Sequence, residues 1–168
     1  MPLTRSVQVA SICAIVLSLG SVSASAIPTD ARISYSGLGA IKLGMTERQI
    51  ERAAKRPITL SSTRGSECAL AMLAPKTQGL FTERRLRRIY VQTPRFATKK
   101  GIRVGATEKR VLAAYPDMLA RVPQKFANED NLVLSKDDRK IVFSLADGKI
   151  SEISTGRTPE INLVERCS

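Results

Sequence analysis

Residues 41–54, Ile-Lys-Leu-Gly-Met-Thr-Glu-Arg-Gln-Ile-Glu-Arg-Ala-Ala, return as residues 102–115, Ile-Arg-Val-Gly-Ala-Thr-Glu-Lys-Arg-Val-Leu-Ala-Ala-Tyr. Ile41, Gly44, Thr46, Glu47 and Ala53 recur unchanged as Ile102, Gly105, Thr107, Glu108 and Ala114. Lys42/Arg103, Leu43/Val104, Arg48/Lys109 and Ile50/Val111 are like-for-like exchanges. A self-match of this quality predicts a small unit written twice. In each copy a short apolar alternation runs through a glycine into helical spacing, which predicts a strand-like entry, a turn and a short helix. Thr46 is placed to cap the first helix, with Gln49 completing a capping box, whereas Arg110 breaks the box behind Thr107. Pro57 and Pro116 then stop the two helices. Free N–H groups at such a turn can cradle an anion, but the glycines are too few for a phosphate loop and plain capping accounts for the pattern.

Behind each helix the pattern becomes that of strands. Glu67–Leu73 and Gly79–Val91 supply one strand and another strand or pair in the first copy. Asn131–Leu134, Arg139–Leu145 and Lys149–Thr155 supply three in the second, divided by Asp137-Asp138 and by Asp147-Gly148, a strong hairpin signal. In the middle one Ile141, Phe143 and Leu145 alternate with Lys140, Val142 and Ser144, so one face is expected to be buried and the other mostly wet. The expected fold class is therefore α+β: two tandem repeats, each a short helical segment followed by antiparallel strands, with the helices packed on one face of the sheet. The expected boundaries are a signal peptide at 1–26, a polar lead-in at 27–36, the first repeat at 37–97, the second at 98–157, and a C-terminal tail at 158–168 that carries Cys167.

The leader has one charge, Arg5, an apolar run from Val7 to Leu19, and small residues ending in Ala24-Ser25-Ala26. That is the pattern of a cleaved export signal, with cleavage expected after Ala26 into the periplasm or the medium. The run is shorter than the ~20 residues a membrane-spanning helix needs, and residues around Cys13 do not make a convincing lipoprotein site. Beyond the leader lie two cysteines, Cys68 and Cys167. An even pair in an exported chain is most simply a disulfide. A redox pair would sit closer in sequence, and a metal site lacks partners in a chain without histidine.

These residues resemble known families. Gly44-Met45-Thr46 followed by Gln49-Ile50, in a small exported chain with a duplicated helix-plus-strand unit, resembles the β-lactamase-inhibitor-protein-like fold. The same local motif is similar to the small lipoprotein of the outer-membrane β-barrel assembly machinery. The ending Val164-Glu165-Arg166-Cys167 is similar to that of many uncharacterised secreted bacterial proteins. The resemblance implies a protein-binding role, but inhibitors of that fold use acidic and aromatic loops, and this chain is basic and aromatic-poor.

Its 27 Lys and Arg against 15 Asp and Glu give a net charge of +12. The densest run is Arg84, Arg85, Arg87 and Arg88, followed by Lys99, Lys100 and Arg103. Guanidinium groups at such density suit an acidic protein or an anionic envelope lipid or polymer. The same run also suits a charged guard on a strand edge, and both readings stand. Nucleic acid fits the charge but is seldom met by an exported protein. Glu129-Asp130 and Asp137-Asp138 lack the Asp-x-Asp-x-Asp-Gly calcium pattern and read as turn chemistry. Serine hydrolysis lacks its histidine. The expectation is an exported binding module without catalytic residues, cofactor or metal, its partner an envelope protein or, alternatively, an anionic lipid or polymer.

Overall fold

A computed structural model describes residues 27–62, 68–117, 119–124, 129–162 and 167. The leader, Glu67 and the Val164–Arg166 run lie outside the described residues. Small strands β1 (Arg32–Ser34), β2 (Gly37–Leu38) and β3 (Ile41–Lys42) precede helix α1 (Glu47–Ala54). Strands β4 (Leu60–Ser62), β5 (Cys68–Ala74), β6 (Thr77–Thr82), β7 (Arg85–Val91) and β8 (Ala97–Thr98) follow. Helix α2 (Glu108–Ala114) then leads to β9 (Leu119–Pro123), β10 (Asp130–Lys136), β11 (Arg139–Ala146) and β12 (Lys149–Arg157), with a 3-10 turn at Glu160–Asn162. The class is α+β, dominated by two sheets. The polar lead-in is itself structured, because β1 pairs antiparallel with β2 and parallel with β8.

The large sheet runs β4-β5-β6-β7-β12-β11-β10-β9, and the small one β3-β2-β1-β8. Every described pairing in the large sheet is antiparallel. Two four-strand meanders therefore meet at β7 and β12, in the register Ile153 opposite Val91 and Thr155 opposite Ile89. Joining in this way leaves two outer strands instead of four to guard. The Gly37 backbone lies at φ 133°, and a Cβ there would stand 2.2 Å from the Ile41 carbonyl oxygen, so the β2–β3 hairpin closes only on glycine.

The two Gly-x-Thr turns make matching contacts. Gly44 and Gly105 both lie at φ 87°. The Gly44 N–H donates to the Leu86 carbonyl (2.7 Å) and Leu86 returns a bond to Met45 (2.9 Å); Gly105 donates to Ile150 (2.8 Å) and Ile150 returns to Ala106 (2.9 Å). These amides are committed to strands, which leaves plain structural service rather than an anion cradle. Ahead of α1, Gln49 Oε1 accepts from the Thr46 N–H at 2.9 Å, the return half of a capping box. Ahead of α2, Thr107 Oγ1 accepts from the Arg110 N–H at 3.4 Å.

One buried cluster unites Leu86, Ile89, Phe143 and Ile153 of the large sheet, Ile33, Leu38 and Ile41 of the small sheet, and Ile50 and Val111 of the helices. It is mainly aliphatic, and each such side chain removed from water contributes about 1.5–3 kcal/mol. The opposite face of β11 is drier than its alternation predicts. Val142 packs with Val133 and Ile161, so the turn at Glu160–Asn162 covers that patch. Beside the turn, Cys167 closes a disulfide on Cys68.

Candidate functional site

The arginine run does not converge on one surface. Glu83 and Arg84 form the tip of the β6–β7 hairpin, both in the left-handed region, at φ 51° and 58°. A bulge then breaks the register: Phe81 faces Leu86 while Leu80 faces Arg88, so Arg87 is the extra residue. Leu86 thereby enters the core, and Arg88 is carried to the other face. There Arg88 is 7% exposed. Its guanidinium donates to Ser154 Oγ at 3.1 Å and to the Glu160 carbonyl at 3.4 Å, and lies 4.4 Å from the Tyr90 ring centroid. Arg87 pairs with Glu83 at 2.8 Å and approaches Glu160 at 3.8 Å. Arg85 donates to the Gly44 carbonyl at 3.0 Å. Arg103 bonds the carbonyls of Pro94 and Arg95 at 2.8 and 2.7 Å. Most of these cations hold loops together.

Lys99 and Lys100 are placed differently. Together they border a cleft of about 840 Å³ between the small sheet and the β10–β11 hairpin. One wall is β1 and the turn after it, with Ser34, Tyr35 and Ser36; Lys42 of β3 and Tyr115 behind α2 adjoin it. The hairpin contributes Lys136, Asp137, Asp138 and Arg139. The Thr155 hydroxyl anchors the β1 wall from across the core by donating to the Ser34 carbonyl at 2.8 Å.

The balance of charge is positive: Lys42, Lys99, Lys100, Lys136 and Arg139 against Asp137 and Asp138. Asp138 is occupied, since Arg157 donates to it at 2.7 Å and Arg139 lies at 3.7 Å. The Arg157 hydrogen bond, reinforced by both guanidinium charges, holds its carboxyl below the usual carboxylate range. The Lys42 ammonium caps the Gly39 carbonyl. Lys100 Nζ lies 5.5 Å from the Tyr115 ring centroid, and Tyr115 Oη donates to Thr98 Oγ1 at 2.9 Å. Tyr35 Oη is shut from water and has no hydrogen-bond partner among the described residues. Burial, then the neighbouring Tyr115, pushes this phenol above its ordinary value, so it remains a donor at neutral pH.

Sequence reasoning found Lys99 and Lys100 but not Lys42, Lys136, Arg139, Tyr35 or Tyr115. Only Lys42 carried a signal, as the repeat counterpart of Arg103. No group of metal-ligating side chains occurs among the described residues. No helix there is long and apolar enough to cross a membrane.

No known protein family matches the chain, and no curated protein does so either. Two solved structures share its fold. An uncharacterised protein, YfeY, from Escherichia coli aligns with 13% identity and a TM-score of 0.50, over 75% of this chain and 99% of that one. An extracellular protein containing an SCP domain, from Bacillus anthracis str. Ames, aligns with 8% identity and a TM-score of 0.51, over 69% of this chain and 44% of that one. At such identities the likeness is one of α+β architecture alone.

Proposed function

We propose that the protein is an exported binding module, built from two copies of a turn–helix–meander unit, that takes an anionic envelope ligand in the lysine-bordered cleft. The observation that carries this reading is the gathering of Lys42, Lys99, Lys100, Lys136 and Arg139 around one cavity. Asp138 is meanwhile neutralised by Arg157. A cavity of this volume suits a small or medium-sized ligand. The matched contacts of Gly44 and Gly105 and the equal strand number of the two meanders support duplication. Export is supported by the leader pattern and the disulfide.

The test is binding of soluble polyanions and of phosphatidylglycerol vesicles at low and high salt. Lys99→Glu/Lys100→Glu is expected to abolish most of the low-salt binding, whereas Arg84→Gln leaves it unchanged. Indifference to the lysine pair, or no anion binding at low salt, refutes the reading. A second reading has a protein partner adding a strand to the outer edge of β9, whose Ala120 to Pro123 are exposed; main-chain pairing of that kind survives high salt.

A further inference from the structure

The hairpin wall of the cleft is braced from behind by the end of β12 and the chain that follows it. Arg157, the last residue of β12, donates to the Asp138 carboxylate at 2.7 Å. The Thr158 N–H donates to the Asp138 carbonyl at 2.8 Å, and Lys140 Nζ donates to Asn162 Oδ1 at 2.8 Å. Lys136 and Arg139, the cations of this wall, face each other across the same hairpin. Two of the three braces, Thr158 and Asn162, thus lie on a strap beyond the sheet. Side chains pin that strap down: Thr82 Oγ1 donates to Glu160 Oε1 at 2.8 Å, and Ile161, 4% exposed, covers Val133 and Val142. Further along, the chain is fixed covalently, since Cys167 is bonded to Cys68 on β5. Both cysteines are partly exposed, so an attacking thiolate can reach the bond.

We propose that the Cys68–Cys167 disulfide is a redox switch for the cleft: the oxidised strap holds the β10–β11 hairpin in its binding arrangement, and reduction loosens it. This regulation rests on the anion-binding reading above. The reductant is a dithiol, small or protein-borne. Its thiolate attacks the sulfur bridge, the S–S bond takes up two electrons and two protons to become the Cys68 and Cys167 thiols, and the reductant closes its own disulfide. A chain end without its covalent anchor frays, because only side-chain contacts then oppose its conformational entropy. Fraying removes the Thr158 and Asn162 braces, leaves Asp138 to Arg157 alone, and puts Lys136 and Arg139 on a looser hairpin. An anion that spans the cleft must then order this wall as it binds, which costs affinity. By reciprocity, an anion held in the cleft favours the disulfide by the same factor.

The experiment titrates a short linear polyphosphate calorimetrically into the disulfide-bonded protein and into the same protein held reduced in dithiothreitol, and follows amide hydrogen exchange in both. Reduction is expected to weaken binding by about fivefold through the added ordering cost. The Thr158 and Asn162 amides should exchange faster on reduction, while those of the β7–β12 junction stay slow. Ile161→Ala in the disulfide-bonded protein loosens the strap without a reductant and should weaken binding by about twofold. Equal affinity in the two redox states overturns the switch but leaves the anion-binding reading standing. A weaker reduced state whose β7–β12 amides exchange together with the strap does the same, since the whole chain has then opened. Parental affinity in Ile161→Ala also overturns the switch, because the strap is then not the route. No polyphosphate binding in either state at low salt overturns both.

Discussion

Replacing Arg88 with methionine should cost far more stability than changing any other arginine of its run. The methionine side chain would retain most of the aliphatic packing, so the loss is chiefly polar. The Arg88 bond to Ser154 Oγ, at 3.1 Å between groups that are 7% and 0% exposed, is charge-assisted and contributes about 1.5–3 kcal/mol. The cation–π contact with Tyr90, at 4.4 Å, adds about 1–2 kcal/mol when desolvated. The longer bond to the Glu160 carbonyl, at 3.4 Å, adds little but ties the Glu160–Asn162 turn to β7. Allowing for relaxation around the thioether, a loss of about 3 kcal/mol is expected. In urea, with a slope of about 1–3 kcal/mol per molar for small proteins, the midpoint should fall by about one molar or more. Arg84→Gln, at the exposed hairpin tip, should stay within about 0.5 kcal/mol of the parent. A midpoint for Arg88→Met indistinguishable from that of Arg84→Gln would refute the view that the run serves the fold rather than a surface patch.

Three further outcomes are expected. Reducing the Cys68–Cys167 bond, with a sequence separation of 99, should lower stability by about 4–5 kcal/mol on chain-entropy grounds; denaturant melts with and without reductant measure it, and a loss below about 1 kcal/mol would contradict it. The tip residue Arg84 occupies left-handed backbone at φ 58°, so Arg84→Gly, which leaves the Glu83–Arg87 pair in place, should stabilise by about 1 kcal/mol, and a drop in melting temperature would count against that turn. Because the Asp138 carboxyl is held below its ordinary value, its contribution is present above the ordinary carboxylate range and is lost as pH falls through the lowered folded value. Asp138→Asn should therefore be less stable than the parent at neutral pH and converge with it in acid, and parallel pH–stability curves would exclude this linkage.

What could be read in the chain beforehand was local. β10, β11 and β12 announced themselves by alternation and by Asp147-Gly148, and the disulfide followed from cysteine parity in an export context. β4, with Leu60-Ser61-Ser62, and β9, ending in Pro123, carry too little apolar alternation to be recognised, since an outer strand need bury only part of one face. β1 was hidden in a polar segment because its stability comes from partners on both sides, one of them β8, far along the chain. The candidate site was less legible. Adjacency in sequence suggested a patch of Arg84, Arg85, Arg87 and Arg88, but strand alternation and the Arg87 bulge send those side chains in different directions. Conversely, Lys42, Lys99 and Lys136 share a cleft only because the small sheet lies beside the β10–β11 hairpin. That proximity is a long-range consequence of core packing, with no trace in local spacing.

The disulfide also determines how the molecule would carry a mechanical load. A pull on its two ends passes from the N-terminal segment to Cys68, crosses the sulfur bridge, and leaves at Cys167. The chain between those cysteines, which includes β6 to β12 and most of the cleft, forms a covalently closed loop outside the line of tension. Stretching would peel away the small strands β1 to β3 and α1, while the second meander would lengthen the molecule only after reduction. Under a load applied at the two ends, the hairpin side of the cleft lies in the sheltered part.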